Sequence, residues 1–324
     1  MDVQTIIRLD ASPYQRTSFF LKEKEVAESF GCRYLFVDAK RNGLSWPLPP
    51  EYHGPFILIS NTHTNFKKLP SELLDQTKLL IHGNSGYDNF DYEDVLTWNF
   101  PVVLGNPVRV PAVSEYILGH LLSRFGLSPH QTVWDKDRQW QRELLCDQKI
   151  LVIGQGLIGE RVGLALTPLV QKLTYFDPYK NKGPSLKELL LAHRIIILTS
   201  SLNKKNHHLL GEEELKALPS NFIIINPARG SLINESALIN ALKENPKAFA
   251  VLDVFEKEPF NNQFTETKNI HLTSHIAGVS KNLDQRLIEY IDKVISDFKN
   301  KSGEFENQYH DLILKNRIHD GMLI

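Results

Sequence analysis

Three short polar stretches each follow a run of apolar residues: Asn226-Pro227-Ala228-Arg229-Gly230, Asp253-Val254-Phe255-Glu256-Lys257-Glu258-Pro259 and Ser274-His275-Ile276-Ala277-Gly278. An arginine, a carboxylate and a histidine thus leave the carboxyl ends of three successive predicted strands. Singly, Arg229 reads as a surface cation, Glu258 as a solvated loop acid and His275 as a satisfied core histidine. Jointly, at neighbouring strand ends of one sheet, they suit a reaction at a carbon–oxygen bond next to a carboxylate. The planar fork of Arg229 can hold carboxylate and carbonyl oxygens together. His275 can give the carbonyl oxygen a proton and remove it in the reverse direction. Glu258 beside the imidazole would favour its charged form and fix its tautomer.

Such a reaction needs a hydride, and an upstream stretch offers a place for its carrier. Lys149-Ile150-Leu151-Val152-Ile153 is followed by Gly154-Gln155-Gly156-Leu157-Ile158-Gly159 and then by a helical pattern. In strand, glycine turn and helix, Gly154 permits the tight turn, Gly156 lets a pyrophosphate approach, and Gly159 lets helix pack on strand. The helix N-terminus adds unpaired N–H groups and a positive dipole end. Alone this pattern is weak, because glycine turns also serve packing. Asp177, 18 residues after Gly159, ends the next strand. An acid there accepts hydrogen bonds from ribose hydroxyls and repels a 2′-phosphate, so NAD is expected rather than NADP. Lys180 lies close enough in sequence to soften that preference.

The elements that must position these residues follow a regular beat. Strands are expected at 150–153, 173–176, 195–198, 222–225, 249–252 and 270–273, with helices at 186–193, 211–218 and 235–243, the last capped by Asn234. Strands alternating with helices predict a doubly wound parallel sheet. The first hundred residues alternate in the same way, with strands near 3–9, 34–37, 56–59 and 78–81, and helices over 12–30 and 70–74. A strand at 101–104 leads to a Pro-bearing connection, 106–111, and to a helix over 112–125 that is apolar on most faces. Residues 128–147 are polar, with Trp134 and Trp140. A long amphipathic helix is expected at 283–298. The last 25 residues are polar apart from Leu312-Ile313-Leu314.

Composition narrows the function classes. The 324 residues are 42% hydrophobic and 23% charged, with a formal net charge of −1. That balance gives no electrostatic footprint for nucleic acid or for an anionic membrane. Basic clusters such as Lys22-Glu23-Lys24 and Phe66-Lys67-Lys68 read as solvated faces. Cys32 and Cys146 have no metal-like spacing and form no disulfide framework, so a reducing compartment, the cytoplasm, is expected. Each reads as a small buried hydrophobe. No run of 18 apolar residues and no basic-then-apolar leader is present, so neither a membrane span nor a secretory signal is expected.

The four motifs together resemble the NAD-dependent D-isomer-specific 2-hydroxyacid dehydrogenase family, whose Ile-Gly-x-Gly-x-Ile-Gly, Asn-x-x-Arg-Gly, Asp-Val-x-x-x-Glu-Pro and His-Ile-Ala-Gly patterns occur here in order. The resemblance covers nearly the whole chain. It implies a Rossmann cofactor domain, residues 105–279, inserted into a flavodoxin-like substrate domain, residues 1–104 and 280–324. It implies hydride transfer between NAD(H) and a small D-2-hydroxy acid or 2-keto acid, with Arg229 binding substrate, Glu258 as partner acid and His275 as general acid/base. Cofactor contacts are implied at Gly154, Gly156, Leu157, Ile158, Gly159, Asp177, Pro227, Ala228, Arg229, Asp253 and His275, with Asp253 near the nicotinamide carboxamide. Ser85 and Gly86 resemble the segment whose backbone N–H groups hold the substrate carboxylate. A homodimer is implied, built partly on a helix like 112–125, and no metal. His82, Asn84, Tyr87 and Arg109 are candidates for substrate selection. An NAD(H)-sensing corepressor-like protein on the same fold is the alternative. A formate-type relative is disfavoured, because that type pairs its histidine with an amide. The chain has Thr273-Ser274-His275 where the family commonly has Thr-Pro-His, and its segment 106–110 lacks a typical glycine.

Overall fold

In the computed structural model, residues 3–12, 15–38, 44–126, 132–137, 142–180, 182–300 and 303–324 are described. Trp140 lies outside them. The chain divides into two units, residues 1–109 with 280–324, and residues 110–279.

The first unit is built on five parallel strands: β1 (Thr5–Leu9), β2 (Arg33–Val37), β3 (Phe56–Ser60), β4 (Thr77–His82) and β5 (Val102–Leu104). Their order is β2-β1-β3-β4-β5, the flavodoxin-like arrangement, with the direction of winding reversing between β1 and β3. Along β1 and β3 successive side chains enter opposite cores. Ile6, Ile57 and Ile59 join the helices Thr17–Ser29 and Leu283–Asn300 on one face. Ile7, Leu9, Phe56 and Leu58 join Phe66, Phe90 and Trp98 on the other. Burial on both faces is why these strands read as continuous apolar runs rather than as alternation.

The second unit carries β6 (Lys149–Ile153), β7 (Lys172–Phe176), β8 (Ile195–Leu198), β9 (Ile223–Asn226), β10 (Phe249–Leu252) and β11 (Ile270–Leu272). All pair in parallel, in the order β11-β10-β9-β8-β6-β7. The chain leaves β6 to one side for β7 and returns across it to β8. The reversal therefore lies between β6 and β8, the position at which doubly wound sheets bind ligands beyond the strand ends. Ile150, Val152, Ile195 and Ile197 pack towards Val113, Ile117 and Val162. Leu151, Ile153, Ile196 and Leu198 pack towards Leu189, Leu215 and Leu238.

Several expectations need correction. The helix expected from Ala112 begins at Asn106 and runs to Gly126 with Pro111 inside it. Pro107 sits in the first turn, where no N–H is required, and Pro111 forfeits one helical bond just beyond it, so neither proline stops the helix. The division between the two units falls within this helix. Cys32 is buried, but Cys146 is exposed, in the short turn Leu145–Asp147 before β6. The tail is not a loose polar end. Phe305, Tyr309, Ile313 and Leu314 are each 5% exposed or less, Ile313 bridges Val103 beside β5, and β12 (Ile318–His319) pairs with β13 (Met322–Leu323). No described helix is long and apolar enough to cross a membrane.

Candidate active site

The glycine turn after β6 has three distinct environments. Gly154 has φ +98°, and a Cβ there would stand 2.6 Å from the Ser200 backbone nitrogen. A Cβ on Gly159 would stand 2.1 Å from the Gly154 carbonyl oxygen. These two positions are closed by the protein itself. A Cβ on Gly156 would meet nothing within 4 Å, so the middle glycine faces open space where a phosphate can approach the backbone. Gly156 is also the N-cap of the helix Leu157–Leu166. The Glu160 N–H bonds back to the Gly156 carbonyl at 2.9 Å, and the first-turn N–H groups of Leu157 and Ile158 have no acceptor within the helix.

Asp177 follows β7 and turns back to this loop. One carboxylate oxygen accepts from the Gln155 N–H at 2.9 Å and the other from the Tyr179 N–H at 3.1 Å. Each oxygen keeps capacity for a further donor, as a ribose diol requires. Lys180 donates to the Gln155 carbonyl at 2.6 Å and pairs with Glu160 at 3.2 Å. Its ammonium is thus engaged with the loop. An acid at the strand end, an open middle glycine and a helix N-terminus together fit a dinucleotide.

The three chemical residues stand on neighbouring strand ends of the same sheet. After β9, Asn226 is 1% exposed. Its amide donates to the Arg229 carbonyl at 2.9 Å and accepts from the Ala228 N–H at 3.0 Å, closing the turn that carries Arg229. The Arg229 guanidinium donates to the Ala228 carbonyl at 2.6 Å. Gly230 follows with no room for a side chain: a Cβ would lie 1.9 Å from the Phe255 carbonyl carbon. The Arg229 turn is therefore pressed against the turn after β10, which carries Glu258. Asn226 is a residue whose role sequence reasoning missed. Its signal was present in the Asn-x-x-Arg spacing, which is that of a side chain closing a turn on its own backbone.

After β11, His275 has φ +55°, a left-handed conformation uncommon for a residue with a side chain. Asp253 holds it there. The Asp253 carboxylate accepts from the Thr273 hydroxyl at 2.5 Å and the N–H groups of Ile276 and Ala277 at 2.8 Å each. Its carbonyl accepts from the His275 N–H at 2.8 Å. Asp253 is 1% exposed, so its side chain is committed to shaping the histidine turn. Tyr116 adds a hydrogen bond to the Thr273 hydroxyl at 2.8 Å.

His275 Nδ1 lies 2.8 Å from Glu258 Oε2. The other Glu258 oxygen accepts from the Phe255 N–H at 3.1 Å. Partial burial pushes the Glu258 carboxyl up, but His275, the Phe255 N–H and the charge of Arg229 outweigh it and leave it below the usual carboxylate range. With Glu258 ionised, Nδ1 must be the donor, and Nε2 is the nitrogen left to exchange a proton. The His275 side chain is 57% exposed, so that nitrogen is accessible. Among the described residues no group of three or more His, Cys, Asp or Glu side chains has a metal-binding arrangement.

In the first unit, Ser85 and Gly86 lie in the loop after β4. Two of the substrate-selection candidates are turned away from solvent. His82 is 0% exposed and Tyr87 5% exposed, the latter donating its hydroxyl to the Ile324 carbonyl. Asn84 accepts from the Gly105 N–H through its backbone at 3.1 Å. The His82 and Tyr87 side chains thus hold protein.

Residues 122–277 match the family model described as D-isomer specific 2-hydroxyacid dehydrogenase, NAD binding domain. Glyoxylate reductase of Thermococcus litoralis is 28% identical over 258 residues, covering 71% of this chain and 77% of its own. D-3-phosphoglycerate dehydrogenase of Methanocaldococcus jannaschii is 29% identical over 235 residues, covering 68% of this chain and 45% of its own. The fold matches that of D-lactate dehydrogenase from Aquifex aeolicus, solved with NAD and lactic acid, with a TM-score of 0.67 at 20% identity over 94% of this chain and 98% of that one. The family model over residues 122–277, the relatives and the solved structures all indicate the D-isomer specific 2-hydroxyacid dehydrogenase family. Family and fold support NAD(P)-dependent 2-hydroxyacid dehydrogenase chemistry and do not favour the sensing alternative.

Proposed function

We propose that this protein reduces a small 2-keto acid to the D-2-hydroxy acid at the expense of NADH, and runs the reverse oxidation. The observation that carries the reading is the His275–Glu258 pair at 2.8 Å, set on the strand end next to the turn that bears Arg229. NADH, when bound, supplies the hydride. Gly156 and the N–H groups of Leu157 and Ile158, in a turn shaped by Gly154 and Gly159, would receive its pyrophosphate, Asp177 its adenosine ribose, and the 227–229 turn its nicotinamide half. Arg229 holds the substrate carboxylate and the carbonyl oxygen together, and its positive charge stabilises the oxygen as negative charge develops there. His275, protonated, delivers its Nε2 proton to that oxygen, while Glu258 stabilises the imidazolium and keeps Nδ1 as the donor. In oxidation the neutral Nε2 takes the hydroxyl proton back. The resemblance assigns the backbone N–H groups of Ser85 and Gly86 to a substrate carboxylate as well.

The relatives point to a short substrate, and glyoxylate is the first to try. The test is NADH oxidation against a panel of glyoxylate, pyruvate, hydroxypyruvate and longer 2-keto acids, repeated with NADPH. Turnover with at least one, faster with NADH, is expected. Normal NADH binding with no turnover on any of them overturns the reading. We propose further that the protein works as a homodimer in which the helix reaching Gly126 takes part. Leu122, 45% exposed on that helix, and Trp134, 75% exposed shortly after it, leave apolar surface to cover. Sedimentation at micromolar concentration gives the mass.

A further inference from the structure

The Ser85–Gly86 loop has no charged side chain to offer, so its use depends on where its backbone is held. His82 ends β4 immediately before it. The strand register pairs His82 with Ser60 on one side and Leu104 on the other, and the Gly105 N–H closes on the His82 carbonyl at 2.7 Å. The imidazole is 0% exposed. Its Nε2 lies 2.8 Å from the Gly86 carbonyl oxygen and its Nδ1 3.0 Å from the Ser60 hydroxyl. A carbonyl oxygen only accepts, so Nε2 carries the hydrogen, and Nδ1 accepts from the Ser60 O–H. The ring stands edge-on to Phe90 at 5.0 Å between centroids, which fixes its plane from the far end of the same loop.

We propose that His82 is a positioning residue for the substrate carboxylate: as a buried donor it pins the Gly86 carbonyl, and so fixes the backbone path of the loop that carries the Ser85 and Gly86 N–H groups. The inference rests on the reading that this loop binds the carboxylate. It does not make His82 an acid or base in the reaction, because no path to solvent or substrate is open to a ring with no exposure. Burial pushes the imidazole down to about 4, the Gly86 carbonyl opposing and the charges of Arg109 and Arg8 adding to that effect, in keeping with a group that stays uncharged while it donates. The Gly86 carbonyl, which only accepts, fixes the hydrogen on Nε2, and the Ser60 hydroxyl, 0% exposed on the adjacent strand, can donate to Nδ1 in that tautomer.

Three variants of the full chain test this, with glyoxylate or the best 2-keto acid of the panel as probe. His82→Gln places an amide N–H near the Nε2 position, and His82→Asn places one only near Nδ1. Gly86→Pro removes a loop N–H directly. Loss of one hydrogen bond corresponds to a shift of about tenfold. We expect KM for the keto acid to rise by about tenfold in His82→Asn and to stay within about threefold in His82→Gln, with kcat and NADH affinity little changed in either. Amide hydrogen exchange across 83–90 should quicken in His82→Asn and not in His82→Gln, an outcome readable without turnover. Equal KM values and equal exchange in the two variants overturn the role given to His82. An unchanged KM in Gly86→Pro overturns the carboxylate-loop reading on which it rests, whereas a raised KM in Gly86→Pro with none in His82→Asn removes His82 alone.

Discussion

Two histidines of this chain end a parallel strand or follow one, and they meet opposite surroundings. His275, at the end of the second unit's sheet, has a carboxylate on Nδ1 and a side chain 57% exposed. His82, in the first unit, is sealed between a hydroxyl and a carbonyl and is 0% exposed. A carboxylate on one nitrogen and an open second nitrogen suit a residue to exchange a proton with a bound substrate. Two neutral partners in an apolar surrounding make one that cannot, and whose value lies in staying put. The same side chain is thus suited to carrying a proton in one sheet and to fixed donation in the other, and the environment rather than the residue type decides which.

The sharpest way to break this contrast is to remove the proton carrier. His275→Ala should lower kcat by about a hundredfold to ten-thousandfold, the range for loss of a general acid, with the NADH dissociation constant unchanged. Glu258→Gln should cost less, because the imidazole remains but loses the anion that fixes its tautomer. If His275→Ala retained near-parental kcat, the exposed histidine would be no more catalytic than the buried one. Next in size is Arg229→Lys, which keeps the charge but loses the planar fork. We expect kcat/KM to fall by about ten- to a hundredfold, mostly in KM. A fall equal to that of Arg229→Ala would show that geometry, not charge, carries the interaction.

A smaller effect is expected at the far end of the cofactor. Asp177 touches the glycine loop through one oxygen and its own turn through the other, and Lys180 is engaged with Gln155 and Glu160. Asp177→Ala should therefore weaken NADH by about tenfold, the worth of a pair of hydrogen bonds to a charged group less what solvent restores, and should bring NADPH closer to it. Measured kcat/KM for both cofactors gives the ratio. An unaltered ratio would mean that the acid shapes the loop without reading the ribose.

How far the molecule was legible beforehand differs between its two sheets for a physical reason. In the second unit the functional side chains follow strand ends and are tied to short spacings, because a rigid dinucleotide demands an open glycine, an acid and three strand-end turns at set places. The strand-end positions of Arg229, Glu258 and His275 are legible in that pattern, as are all six strands. The role of Asp253 could not, since a buried acid that clamps a turn looks the same in sequence as one that faces a ligand. In the first unit the proposed role of the loop after β4 falls on backbone N–H groups, which have no sequence signature, and the His82 and Tyr87 side chains beside them are buried. His82 and Tyr87 were hence read as facing a ligand when they hold Gly86 and Ile324. The helix from Asn106 was misjudged because prolines in and just past a first turn imitate a break. The tail hid its packing because its apolar residues, Phe305, Tyr309, Ile313 and Leu314, are spaced irregularly along short turns.

The smallest effect probes the buried histidine through stability rather than rate. His82 falls from 6.5 to about 4 on folding, through burial above all. An unfolded chain therefore takes up a proton near pH 6.5 that the folded one refuses until about pH 4. Between those values the unfolded state binds more protons, so stability rises with pH. The contribution is fully present above pH 6.5, is lost as pH falls towards 4, and is constant below. From pH 6.5 to 5.5 the expected loss is about 1 kcal/mol, or roughly fivefold in the folding equilibrium. His193 and His120 are lowered by burial too, so the parent alone cannot isolate the term. The difference between parent and His82→Gln can: urea midpoints at both pH values should converge in the variant by about that amount on the acid side. His275→Gln, in contrast, leaves the His82 ring buried and should keep its share of the acid sensitivity. If the two variants responded alike, the buried and the exposed histidine would share one electrostatic environment, and the division of labour drawn between them would not hold.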